Sequence, residues 1–143
     1  MIGAIIGDIV GSRFEFGPAP LKSFELFTPD CSYTDDTICT IAIADAVLNE
    51  RDYKDSLLDW CCRYPDPMGG YGKRFYEWIN ADDPQPTNSF GNGSAMRVST
   101  IGWLFDEWED VIEEAKKSAI VSHNHPEGIK GAQCIAEAIC WLR

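Results

Sequence analysis

The stretch YTDDT at 33–37 sets Asp35 and Asp36 side by side between Thr34 and Thr37. Oxygen donors of this kind suit a hard divalent cation, Mg²⁺ or Mn²⁺, and two adjacent aspartates can each reach a different ion. The same residues also suit a plain helix start. Thr34 can cap the helix, with Asp35 and Asp36 at the positive end of its dipole. On this stretch alone both readings stand. A third carboxylate, Glu15, closes the segment GAIIGDIVGSRFE. At the end of a helix it opposes the dipole, which points to a use beyond the helix itself.

Three further stretches could hold a ligand. GNGSAMRV at 91–98 places glycines around Asn92 ahead of a helix expected to open near Ser94. Such a turn can present backbone N–H groups to a diphosphate, or it can be an ordinary Asn-Gly turn with a serine cap. Arg97 lies one turn in, where it can pair with phosphate or with a surface acid. SHNHPEGIKGA at 122–132 holds both histidines. Their spacing alone makes a poor transition-metal site, since no Cys or further His supports it, and a ligand hydrogen bond from His123 is the better reading. DPMGGYGKRF at 66–75 is a glycine-rich turn before a helix, a hinge or a second ligand wall.

The elements that must carry these residues read as helices. Gly3, Gly7 and Gly11 recur every fourth residue, which on a helix makes one smooth stripe for close backbone packing. TICTIAIADAVLNE, KDSLLDWCCRY, YGKRFYEWI, SAMRVSTIGWLFDEW, EDVIEEAKKSAIVS and EGIKGAQCIAEAICWLR follow with helical patterning and no strand alternation. Residues 16–33 carry three prolines and read as a loop. The result is an all-α bundle whose long, glycine-bearing loops carry the chemistry.

With 143 residues, the chain is long enough for one domain with a real core. A net charge of −11 disfavours nucleic acid and anionic lipid as partners. The apolar N-terminus lacks a basic start and contains Asp8, so it does not read as a signal peptide. The six cysteines show no CxxC spacing and read as buried, reduced thiols. Together these features suggest a cytoplasmic protein that makes no use of a membrane.

GAIIGDIVGSRFE, YTDDT, GGYG, SFGNGSAMRV and SHNHPEGIKGA, in this order, resemble the motifs of the ADP-ribosylglycohydrolase family. The resemblance spans nearly the whole chain. It implies an all-α orthogonal bundle around two Mg²⁺ or Mn²⁺ ions and hydrolysis of the glycosidic bond between ADP-ribose and an acceptor. The partner would be an ADP-ribosylated protein or a small ADP-ribose conjugate. Position by position, Thr34, Asp35 and Asp36 match the family's first metal-ligand cluster. Glu15 matches the acidic residue at the scissile bond, and with Asp35 makes the expected catalytic pair. Asn92, Gly93, Ser94, Met96 and His123 match the ADP-ribose pocket, and Gly70, Tyr71 and Gly72 a glycine-rich wall.

Members similar to this chain carry a second cluster, Asp-x-Asp-Thr, further along. Here AEAICWLR ends in a helical pattern with no such cluster after Asp36. Residues 1–143 therefore read as one incomplete domain without its C-terminal metal-ligand segment. An apolar face near Ile135, Ile139 and Trp141 is expected to be exposed, and able to mediate association. An ADP-ribose-binding module that does not hydrolyse is the alternative reading.

Overall fold

The computed structural model of the chain describes residues 1–18, 20 and 22–143. Seven α-helices account for its regular structure, together with two single 3₁₀ turns, and no strand occurs among the described residues. The helices are α1 (Ile2–Gly11), α2 (Asp35–Leu48), α3 (Tyr53–Arg63), α4 (Lys73–Ile79), α5 (Ser99–Leu104), α6 (Trp108–Ile120) and α7 (Pro126–Leu142).

α2 is the central rod. Ile38, Cys39, Ala42, Ile43, Ala44 and Ala46 bury it on most of its circumference. Small side chains on so many faces let α1, α3 and α5 all approach it. Asp52 caps α3 by accepting the N–H groups of Lys54 (2.8 Å) and Asp55 (3.1 Å). Ser56 then donates to the Ala42 carbonyl at 2.7 Å, tying α3 to α2. Ile43, Leu57 and Ile101 are fully enclosed, and each buried side chain of this size contributes about 2–3 kcal/mol.

α7 opens on Pro126, which suits a first helical turn, with His125 Nδ1 accepting the Glu127 N–H. Gly128, Ala132 and Ala136 form its buried stripe. The stripe is small for a reason visible at Gly102 of α5. A Cβ there would lie 2.5 Å from the Ala136 carbonyl, so the two helices touch backbone to backbone.

Three expectations need correction. The helix expected to open near Ser94 begins instead at Ser99, after a 3₁₀ turn over Asn92–Ser94. Ser94 is buried and donates to the Gly128 carbonyl at 2.8 Å, so its hydroxyl is spent on α7 and not on capping. The glycine stripe of α1 meets nothing within 4 Å, so no backbone packs on it here. Of the cysteines, only Cys39 and Cys61 are buried, although all six are free thiols.

The apolar face is real, and it extends beyond α7. Trp141 and Ile135 are exposed, whereas Ile139 is half-buried. Ile139 lines a groove of about 530 Å³ with Ile2, Leu48, Trp103 and Leu104. No helix is long and apolar enough to cross a membrane among the described residues.

Candidate active site

The site is built on the junction of α1 with the start of α2. Thr34 caps α2, its hydroxyl accepting the Asp36 N–H at 3.2 Å. The same hydroxyl donates to the Asp8 carboxylate at 2.6 Å, and the Thr34 N–H reaches Asp8 at 3.0 Å. Thr37 adds its own N–H and hydroxyl to Asp8. One carboxylate from α1 thus satisfies two backbone donors and two hydroxyls at a helix start, where donors are otherwise orphaned.

That arrangement fixes where Asp35 and Asp36 go. Asp36 faces a cavity of about 390 Å³ shared with Asp8, Glu15, Thr34 and Met96. Asp35 faces a second cavity, of about 360 Å³, shared with Lys73, Arg74, Arg97, His123 and, again, Met96. Met96 lines both, so the two adjacent aspartates straddle a partition. One chamber is walled by acids and the other by cations.

Burial and like charge both act on Asp35. Burial, then the negative charges of Asp36, Glu15 and Asp8, push its carboxyl up to about 6. Burial and the charges of Asp8 and Glu15 likewise raise Asp36, against a hydrogen bond from Thr34 that lowers it. Glu15 itself is exposed and follows the 3₁₀ turn over Ser12–Phe14 that ends α1. Gly69 holds a left-handed conformation (φ +82°) directly against it, where a Cβ would come within 3.2 Å of Glu15 Oε2.

In the second chamber, His123 is buried and uncharged near neutral pH. Burial first, and the Arg97 guanidinium second, lower it to about 4. Its Nε2 would lie 2.8 Å from a Cβ on Gly93, so glycine leaves the ring tip open to the chamber. Arg97 is fully buried and donates to the Ser118 carbonyl and the Ser122 hydroxyl, both at 2.9 Å. Among the described residues no acid pairs with it, burial lowers its pKa, and it lines the chamber.

The residues singled out in the sequence are sorted by this geometry. Glu15, Thr34, Asp36 and Met96 meet in the acidic chamber, while Asp35, Gly72, Gly93, Met96 and His123 meet in the basic one. Asn92 is exposed and lines neither. Tyr71 turns into the core, donates to the Tyr64 carbonyl at 2.7 Å and packs against Phe75. Gly70 supplies a second left-handed turn residue beside Gly69. Sequence reasoning passed over Asp8, Lys73, Arg74 and Ser122. Asp8 carried a signal: a lone carboxylate in the middle of an apolar helix needs a partner.

The donor set answers whether a divalent cation fits. The carboxylates of Asp8, Glu15 and Asp36, whose charges add to burial in raising Asp35, favour a cation, and the Thr34 hydroxyl oxygen keeps a free lone pair. Yet no three His, Cys, Asp or Glu side chains converge on one point among the described residues. They fit one side of a cation site.

Comparisons with known proteins agree along the whole chain. The sequence model of the ADP-ribosylglycohydrolase family matches residues 1–142. The ADP-ribosylhydrolase ARH3 of Xenopus tropicalis is 28% identical over 169 residues, covering 97% of this chain and 48% of its own. The mouse ARH3 is 29% identical over 174 residues, covering 97% and 46%. The uncharacterized protein YegU of Escherichia coli is 26% identical over 171 residues, covering 97% and 51%. The chain spans about half the length of the curated relatives it matches.

Proposed function

The chain belongs to the ADP-ribosylglycohydrolase family, and from that premise we propose that its two chambers bind ADP-ribose across the Asp35–Asp36 step and serve hydrolysis of the bond joining it to an acceptor. The observation that carries this reading is the charge partition. A diphosphate belongs beside Lys73, Arg74 and the neutral His123. The ribose belongs beside Asp8, Glu15 and Asp36. Departure of the acceptor leaves positive charge on the sugar, and carboxylates placed there stabilise it.

The roles follow from position. Glu15, exposed and backed by Gly69, is free to take the proton of an incoming water. Asp8 keeps Thr34 and Thr37 in place, so the start of α2 presents Asp35 and Asp36 to opposite sides. Met96 is the apolar divider on which the sugar rests. Mg²⁺ or Mn²⁺ would be held by Thr34 with Asp36 and, as a second ion, by Asp35, with donors from beyond these three. When bound, it would orient water and hydroxyls and offset the repulsion between this acidic protein and a diphosphate.

The alternative, a module that binds ADP-ribose without hydrolysing it, is favoured by the incomplete donor set. Calorimetry of ADP-ribose binding, with and without Mg²⁺ or Mn²⁺, tests the shared part of both readings. Release of ADP-ribose from a modified peptide separates them. Binding without release selects the module. Failure to bind, in the chain and in a longer form matching the relatives' length, would end both.

A further inference from the structure

The buried Arg97 and Ser122 have no part in the roles above, yet they lead directly to His123. Arg97 Nη2 donates to the Ser122 hydroxyl oxygen at 2.9 Å. That oxygen lies 2.9 Å from His123 Nδ1. A guanidinium only donates, so the serine oxygen accepts from Arg97. Its single proton then needs an acceptor, and Nδ1 is the one it has among the described residues. Were Nδ1 to carry a proton, two donors would face the serine oxygen and the hydroxyl proton would be stranded in a site that is 1% exposed. Stranding a buried donor is costly.

We propose that Arg97 and Ser122 are positioning residues that hold His123 with Nδ1 as acceptor and the proton on Nε2. Nε2 has no protein partner among the described residues, and it sits at the opening that Gly93 leaves. His123 is therefore a standing N–H donor to the basic chamber. The ligand group that meets it is an acceptor, a phosphate or ribose oxygen. Only the identity of that oxygen rests on the proposed function. The tautomer itself is a property of the free chain.

The test is ring ¹H–¹⁵N correlation spectroscopy at pH 7, on ¹⁵N-labelled chain without ligand. His125→Ser, which keeps a capping oxygen, leaves His123 as the sole histidine. The expected spectrum shows Nε2–H favoured over Nδ1–H by about tenfold or more. Ser122→Ala should reduce that bias severalfold, and Ser122→Thr should restore it. A slowly exchanging Ser122 hydroxyl proton close to the ring is a second readout that needs no variant at position 122. A dominant Nδ1–H form, or a bias untouched in a folded Ser122→Ala protein, would overturn the relay. Adding ADP-ribose should then shift the Nε2–H signal. Absence of that shift with the tautomer intact counts against the proposed ligand and leaves the relay standing.

Discussion

Asp8 and Thr34 stand 26 residues apart, yet the carboxylate of one takes both the N–H and the hydroxyl of the other, at 3.0 and 2.6 Å. With Thr37 added, this is the main polar link between α1 and α2. Asp8→Ala is expected to lower unfolding stability by about 2–4 kcal/mol, since charge-assisted bonds are lost at a helix start. Asp8→Asn, which keeps one acceptor oxygen, should fall between. Urea unfolding measures both. A loss under about 1 kcal/mol for the alanine variant would mean that packing alone seats α1.

A half-buried carboxyl and a buried imidazole pull the pH dependence of stability in opposite directions in metal-free protein. Asp35 binds its proton near 6 when folded and near 3.8 when unfolded. Falling pH between those values therefore stabilises the fold, by about 1 kcal/mol once solvent screening is allowed for. His123 binds its proton near 4 when folded and near 6.5 when unfolded, so falling pH over that window destabilises the fold, by about 2 kcal/mol. Asp35→Asn should raise stability at pH 7 and steepen the acid loss. His123→Gln should remove that loss and uncover the opposite slope. Thermal melts in chelator from pH 4 to 7 read both, and parallel curves for all three proteins would refute the assignment.

Glycines here divide into two kinds. Gly93→Ala puts a methyl 2.8 Å from His123 Nε2, so the ring must give way. ADP-ribose binding should weaken by about tenfold or more, as a donor is displaced and the opening filled. Gly7→Ala meets nothing within 4 Å and should stabilise the chain by about 0.5–1 kcal/mol through helix propensity. A destabilising Gly7→Ala would show that the stripe is covered in solution.

The groove lined by Ile2, Leu48, Trp103, Leu104 and Ile139 should bind a hydrophobic dye at neutral pH. Replacing Leu48 and Trp103, 63% and 51% exposed, by serine should cut the signal by about half or more without loss of fold. Undiminished dye binding would place the sticky surface elsewhere.

Much of this was legible in the chain. The apolar periodicity located α2, α3, α6 and α7, and for α2, α3 and α7 the start is marked by a cap or a proline that the sequence states openly. α5 was not legible in its true place. Residues 94–98 have helical composition, but Ser94 bonds to Gly128 from α7, and a long-range bond cannot be read from local pattern. The paired aspartates were visible as a pair, and their split between two chambers was not. The split depends on Asp8, which only the fold brings to α2. The burial of Arg97 was hidden for the same reason: nothing nearby in sequence announces the Ser118 carbonyl or the Ser122 hydroxyl.

The way α1 is attached has a kinetic consequence. Val10 is its sole buried residue, and its hold on α2 is largely that one carboxylate. Such an element detaches at a fraction of the free energy that opens the core. Amides of α1 should exchange with solvent deuterium well before those of α2, and α1 should dock late in folding, after the start of α2 exists to receive Asp8. Each detachment removes Asp8 from the acidic chamber, while Arg97, Ser122 and His123, held by α6 and the turn that follows it, keep their bonds. The two halves of the site therefore live on different clocks. One is as durable as the core, and the other lasts only as long as a single carboxylate latch stays closed.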